Sequence, residues 1–206
     1  MKKLPLIVIA LFALGSGILI SWLVHDTRTV TLEAGQWFAD QAKILPGFEL
    51  VDHNNQKLGN PQLSGKWSLL FFGYTNCPDI CPASLQTLSN MMNAIDDSDV
   101  RKSIQVIFVS VDPERDSPEI LKPYVQYFDQ DFIGATAPLT ALNRLTDAVG
   151  IGHSRDKTSE EASNYDVSHS SAIILINPAV EFAGIFGAPL NASMMARDMV
   201  KIVEHG

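Results

Sequence analysis

The chain has 206 residues, 46% of them hydrophobic and 18% charged, with 13 Gly, 11 Pro and two Cys. That composition excludes intrinsic disorder, collagen-like or low-complexity sequence and a multi-disulfide scaffold, and the length fits one globular domain. All 23 acidic residues follow His25, so the part from Asp26 onward, with 13 basic residues, carries a net charge of −10; a surface that acidic repels a phosphate backbone, and no nucleic-acid partner is expected.

The first element is Leu6–Val24, 19 residues without a charge. At about 1.5 Å per residue it approaches the roughly 30 Å hydrocarbon thickness of a bilayer, and it is expected to be a transmembrane helix. The residues after Trp22 offer no small-x-small cleavage site, which argues for a retained anchor over a cleaved signal peptide. Lys2 and Lys3 precede the span, so the positive-inside rule puts them in the cytoplasm and Trp22 near the opposite interface. There is no Arg- and Ser-rich leader of the mitochondrial kind. The expected location is therefore the bacterial inner membrane, crossed once by residues 1–25, with the remainder in the periplasm.

Residues 26–44 lack a sustained period and read as a tether to a domain covering 45–206. Leu45–Asp52, followed by the turn-rich His53–Gly59, reads as a strand entering a β-hairpin. Lys66–Thr75 is a continuous apolar run bounded by Gly65 and a Cys/Pro cluster, the pattern of a strand buried on both faces. Pro82 marks the start of a helix along which Leu85, Leu88, Met92 and Ile95 recur at 3–4 spacing. Ile104–Asp112 is a second buried strand, and Ser117-Pro118-Glu119 reads as an N-cap, first helical position and acidic first turn for a helix through about Phe128.

Pro138–Val149 supports another helix, ended by Gly150. Residues 152–168 form a long polar loop of the kind that is mobile or functional. Ser171–Asn177 and Val180–Phe186 are two strands close enough to pair, and Asn191–Val203 closes the chain with a helix. The order describes an α/β domain with buried central strands and a terminal antiparallel hairpin, without a second domain.

Both cysteines fall in Cys77-Pro78-Asp79-Ile80-Cys81, where a buried strand hands over to a helix. Thiols at a helix N-terminus feel the positive end of its dipole, which favours thiolate, the form that attacks disulfides and binds metals. Three residues separate the pair, whereas dithiol oxidoreductases typically have two. On a regular helical turn the β-carbons would lie ~5–6 Å apart, beyond the ~3.5–4.5 Å of a relaxed disulfide, while two thiolates at ~2.3 Å from one metal tolerate that spacing. Pro78 and Pro82 suggest a turn leading into the helix, where a disulfide also closes. Spacing therefore leans towards metal and leaves redox work open. A purely structural disulfide would close a five-residue loop and stabilise little. No second CxxC or HxxxH supports a zinc finger, and two soft thiolates with one or two further ligands suit low-coordinate Cu(I) better.

Three segments, Phe71–Leu88 (FFGYTNCPDICPASLQTL), Ser110–Tyr124 (SVDPERDSPEILKPY) and Asp166–Pro178 (DVSHSSAIILINP), resemble the signature segments of the Sco/SenC family, and the similarity runs from about Leu45 to the C-terminus. The resemblance implies a thioredoxin-like α/β fold behind an N-terminal transmembrane helix. It also implies a membrane-anchored metallochaperone that takes copper, as Cu(I) or Cu(II), from a donor protein and delivers it to cytochrome c oxidase, at the binuclear copper site of subunit II. The family's copper ligands carry over to Cys77, Cys81 and His169. The family equally allows a thiol-disulfide oxidoreductase that uses Cys77 and Cys81 as a redox pair to reduce the target's cysteines without needing His169. A peroxidase-like or copper-sensing role would use the same residues and has no sequence feature of its own.

Two departures stand out. Ser168 precedes the histidine where the family usually has an acidic residue, with Asp166 two positions away, and Ala179-Val180 follows Pro178 where the family commonly has a glycine turn. Asp79 reads as an acceptor near the cysteines or as the cap of the following helix, and Asp112–Asp116 as a docking surface or a salt-linked loop. His153 matches no family position and, like His25, His53 and His205, is expected to be a bystander.

Overall fold

The computed structural model describes residues 31–38, 41–155, 167–169 and 171–206. From the N-terminal side, strands β1 (Gly35–Trp37) and β2 (Lys43–Ile44) precede a hairpin of β3 (Glu49–Asp52) and β4 (Lys57–Gly59), then a one-turn helix α1 (Asn60–Leu63). Next come β5 (Trp67–Gly73), α2 (Ile80–Asn93), α3 (Ser98–Ser103), β6 (Ile104–Ser110), α4 (Pro118–Gln126), β7 (Ile133–Thr136) and α5 (Leu139–Ala148). The chain finishes with β8 (His153–Arg155), β9 (Val167–His169), β10 (Ile173–Ile176), β11 (Glu181–Phe186) and α6 (Ala192–His205).

All seven residues of β5 are buried, as a run apolar on both sides requires, and this strand is the axis of the fold. It lies parallel to β6 in the register Trp67↔Ile104 to Gly73↔Ser110, and β6 is parallel to β7. On its other side β5 pairs antiparallel with β10, which turns back into β11. The sheet runs β1-β11-β10-β5-β6-β7-β3-β4, with β2 also on β11. This is an α/β domain with the expected buried strands and terminal hairpin.

Alternation along the strands divides the core into two layers. Trp67, Leu69, Phe71, Val106 and Phe108 face α2, α4 and α6 through Leu85, Leu88, Leu121, Val125 and Met199. Leu70, Phe72, Ile107 and Val109 face Leu142 and Leu145 of α5 and Leu50 and Leu58 of the first hairpin. Helix ends follow local chemistry. Asn191 Oδ1 accepts from Met194 N (3.0 Å) at the start of α6, and Asp97 Oδ1 accepts from Asp99 N (2.8 Å) and Val100 N (3.1 Å) at the start of α3. Gly150, at φ +70°, follows the end of α5.

Several elements differ from the sequence reading. α2 begins at Ile80, two residues before Pro82, so Cys81 lies in its first turn and Cys77 lies outside it. β7, α1 and α3 are additional: β7 has only four residues, and the two helices are too short to show a period. Gly35–Trp37 and Lys43–Ile44, within the expected tether, are edge strands on β11. The start of the first is held by a partner distant in sequence: the fully buried Asp198 of α6 accepts from Glu33 N (2.8 Å), Ala34 N (2.7 Å) and Gly35 N (3.1 Å). The polar stretch 152–168 begins and ends in strands, β8 and β9, which pair with each other. The expected membrane span, Leu6–Val24, lies outside the described residues with Lys2, Lys3 and His25. Among the described residues no helix is long and apolar enough to cross a membrane.

Candidate metal centre

β5 ends at Gly73 and the chain crosses to α2 through Tyr74–Asp79, with Cys77 N donating to Tyr74 O (3.3 Å) in the turn. Cys77 is half-buried, touching the edges of both core layers, and Asn76, Pro78, Asp79 and Ile80 around it are exposed. Cys81 is fully buried. Its backbone N–H donates to Cys77 Sγ across 3.5 Å, so the first sulfur folds back over the start of the helix. Neither cysteine is in a disulfide. Burial pushes the Cys81 thiol well above the usual thiol range, and the nearby Cys77 sulfur adds to that shift.

The depth of Cys81 depends on Gly73. A β-carbon there would stand 2.5 Å from Cys81 Sγ and 2.8 Å from Phe108 Cε2, so only glycine leaves room for the sulfur against the end of β5. Phe108 in turn packs on Tyr124, ring centroids 5.5 Å apart. The Tyr124 hydroxyl is buried with no hydrogen-bond partner among the described residues, and burial together with the two nearby thiols raises its pKa.

The loop leading to Cys77 is tied to the exit of β6. Asp116 is fully buried and accepts from Thr75 N (2.9 Å), Thr75 Oγ1 (2.5 Å) and Ser110 Oγ (2.5 Å). Asp112, also fully buried, pairs with Arg115, whose guanidinium lies 5.6 Å from the centre of the Tyr74 ring. Asp112–Asp116 is thus the salt-linked loop considered from sequence, with the added job of holding Thr75. The signal was present, since an acidic cluster leaves a buried strand beside the one that carries the cysteines, but which strands are neighbours is a property of the sheet. Asp79 precedes α2, is exposed, and makes no capping hydrogen bond.

His169 ends β9. Because β10 is antiparallel to β5 with Ile173 opposite Phe71, the start of β10 lies at the end of β5 that leads to Cys77. His169, four residues before Ile173, and Thr75, four after Phe71, are therefore reached from the same end of the sheet. The Cα partner of His169 is His153. His53 is buried and its Nδ1 accepts from Gly134 N (2.9 Å), whereas His205 is exposed at the C-terminal helix end and its Nδ1 donates to Lys201 O (2.7 Å). Asp166 lies outside the described residues. Among the described residues no three His, Cys, Asp or Glu side chains stand grouped as metal donors, so the donors placed in detail are the two sulfurs.

A sequence model of the family SCO1/SenC matches residues 38–204. The chain belongs to the SCO1/SenC family. A Stutzerimonas stutzeri protein named for copper binding is 32% identical over 183 residues, covering 89% of this chain and 88% of its own. A Rickettsia felis SCO2-like protein is 33% identical over 176 residues, 84% of each. Among solved structures, Arabidopsis thaliana ScoI with copper bound is 30% identical with a TM-score of 0.72, over 79% of this chain and 99% of that one. Bradyrhizobium japonicum ScoI with copper bound is also 30% identical, with a TM-score of 0.68 over 77% and 98%. The fold of this family member is thus the Sco thioredoxin-like fold, with the cysteine pair where the first buried strand meets its helix.

Proposed function

We propose that this protein is a copper metallochaperone for cytochrome c oxidase, anchored in the inner membrane by residues 1–25, whose periplasmic domain binds copper through Cys77, Cys81 and His169. The observation that carries the reading is the sulfur pair: one half-exposed and one fully buried cysteine, linked by a 3.5 Å N–H···S contact at the head of a helix. Two soft thiolates match Cu(I), and an imidazole suits either oxidation state. Support comes from the copper-bound family members of similar sequence and fold.

Cys77 is the point of entry because it faces solvent, and Cys81 closes the site from behind. Copper uptake must displace the proton that burial holds on Cys81, so binding weakens as the pH falls. Release runs by ligand exchange. A cysteine or histidine of subunit II enters from the exposed side before Cys77 or Cys81 leaves; no electrons move. A copper donor loads the site by the same route in reverse.

The second reading, a reductase for the target's cysteines, needs Cys77 and Cys81 as a dithiol but not His169. Oxidase assembly under copper limitation in cells carrying His169→Ala or Cys77→Ser separates the two. Copper delivery requires both variants to fail; assembly retained with His169→Ala alone would replace it with the reductase.

A further inference from the structure

The ribbon of β8 and β9 stands apart from the main sheet, in the register His153↔His169, Ser154↔Ser168, Arg155↔Val167. Opposed positions of an antiparallel pair lie on one face with β-carbons about 4.5–5.5 Å apart. The register therefore gives His153 and His169 matched positions on one face, at the end of the ribbon nearest Ile151 and β10. Two nitrogens that each bind one metal at ~2.0–2.1 Å can come from positions that close.

We propose that His153 is a second imidazole ligand of the copper site, engaged when the metal is Cu(II). This rests on the copper reading given above. The two oxidation states ask for different donor sets: Cu(I) is content with few soft ligands, whereas Cu(II) favours four-coordinate tetragonal sites that include imidazole. Cys77, Cys81 and His169 satisfy the first and leave the second one donor short. Asp79, exposed beside the cysteines, is a harder donor and therefore the poorer completion. An isolated two-stranded ribbon is also marginally stable in water, and a metal held by both strands would pin it.

The test is pulsed EPR on the full-length chain loaded with Cu(II), comparing wild type with His153→Ala, His153→Gln and His169→Ala. Two imidazole couplings are expected in wild type and one in each variant. Cu(II) dissociation should accelerate at least about tenfold in both His153 variants, with Cu(I) binding by the thiols unchanged. Hydrogen exchange should show Cu(II) protecting the amides of 153–155 and 167–169 in wild type but not in His153→Gln. A single imidazole in wild type, or a His153→Gln spectrum identical to wild type, overturns this proposal and leaves the copper site standing. Failure of wild type to bind copper at all overturns the site and this ligand with it.

Discussion

Two positions show opposite demands on the backbone. At Gly73 a side chain is excluded by what surrounds it, since Cys81 Sγ and a Phe108 ring carbon occupy the space of a β-carbon. Gly73→Ala should cost about 1–3 kcal/mol of stability through overpacking and weaken copper binding by displacing Cys81, as read by urea denaturation and copper titration. Unchanged copper affinity would mean that the sulfur relocates freely. At Val180 the reverse holds. This β-branched residue sits at φ +63° in the turn between β10 and β11, where the left-handed conformation costs roughly 1–2 kcal/mol for a residue with a Cβ. Relief of that strain is partly offset by glycine's greater freedom in the unfolded chain, so Val180→Gly should raise stability by up to about 1 kcal/mol in the same denaturation assay. A loss would show that the packing of Val180 against the α5-side core outweighs its strain.

Between elements, single buried polar groups fix which pieces meet. Asp116 joins the exit of β6 to the cysteine loop through three accepted hydrogen bonds. Asp116→Ala leaves the Thr75 amide and two hydroxyls without their acceptor, which should cost at least about 2 kcal/mol and loosen the Cys77 loop. Faster amide exchange at 75–77 than at β6 is the expected signature, and uniform exchange would contradict it. His53 joins the turn of the first hairpin to β7, its Nδ1 accepting from Gly134 N while its backbone N–H donates to Gly134 O (2.8 Å). Burial lowers its pKa; Asp52 opposes that shift and Lys122 adds to it. The folded state therefore takes up this proton less readily than the unfolded chain. The stabilisation is complete above the ordinary imidazole value of about 6.5 and is lost as the pH falls through the lower folded value. His53→Asn, which keeps an acceptor and removes the titration, should flatten the denaturation midpoint against pH over that acidic range; an unaltered slope would assign it to other groups.

For the whole molecule, a metal that binds only the folded state stabilises it by mass action. Copper at about a hundred times its dissociation constant should add about 2.7 kcal/mol and raise the melting temperature by about 5–10 °C, an effect that Cys77→Ser and Cys81→Ser abolish. An equal rise in the variants would place the metal elsewhere.

The sequence by itself determined the strands β5, β6, β10 and β11, the main helices, the terminal hairpin and the cysteine pair, because apolar periodicity, proline and glycine placement and residue spacing are local. Leu69 and Phe71 declare a strand wherever they end up. Only the tertiary structure decided what depends on neighbours far along the chain. Asp198 captures the amides of 33–35 at the start of β1, and β11 makes edge strands of a stretch with no period of its own. Gly73 admits the buried sulfur, Asp116 reaches across to Thr75, and His153 comes opposite His169. Hydrogen bonds and strand registers between distant residues leave no period in the sequence, because each is set by how the sheet is ordered and closed.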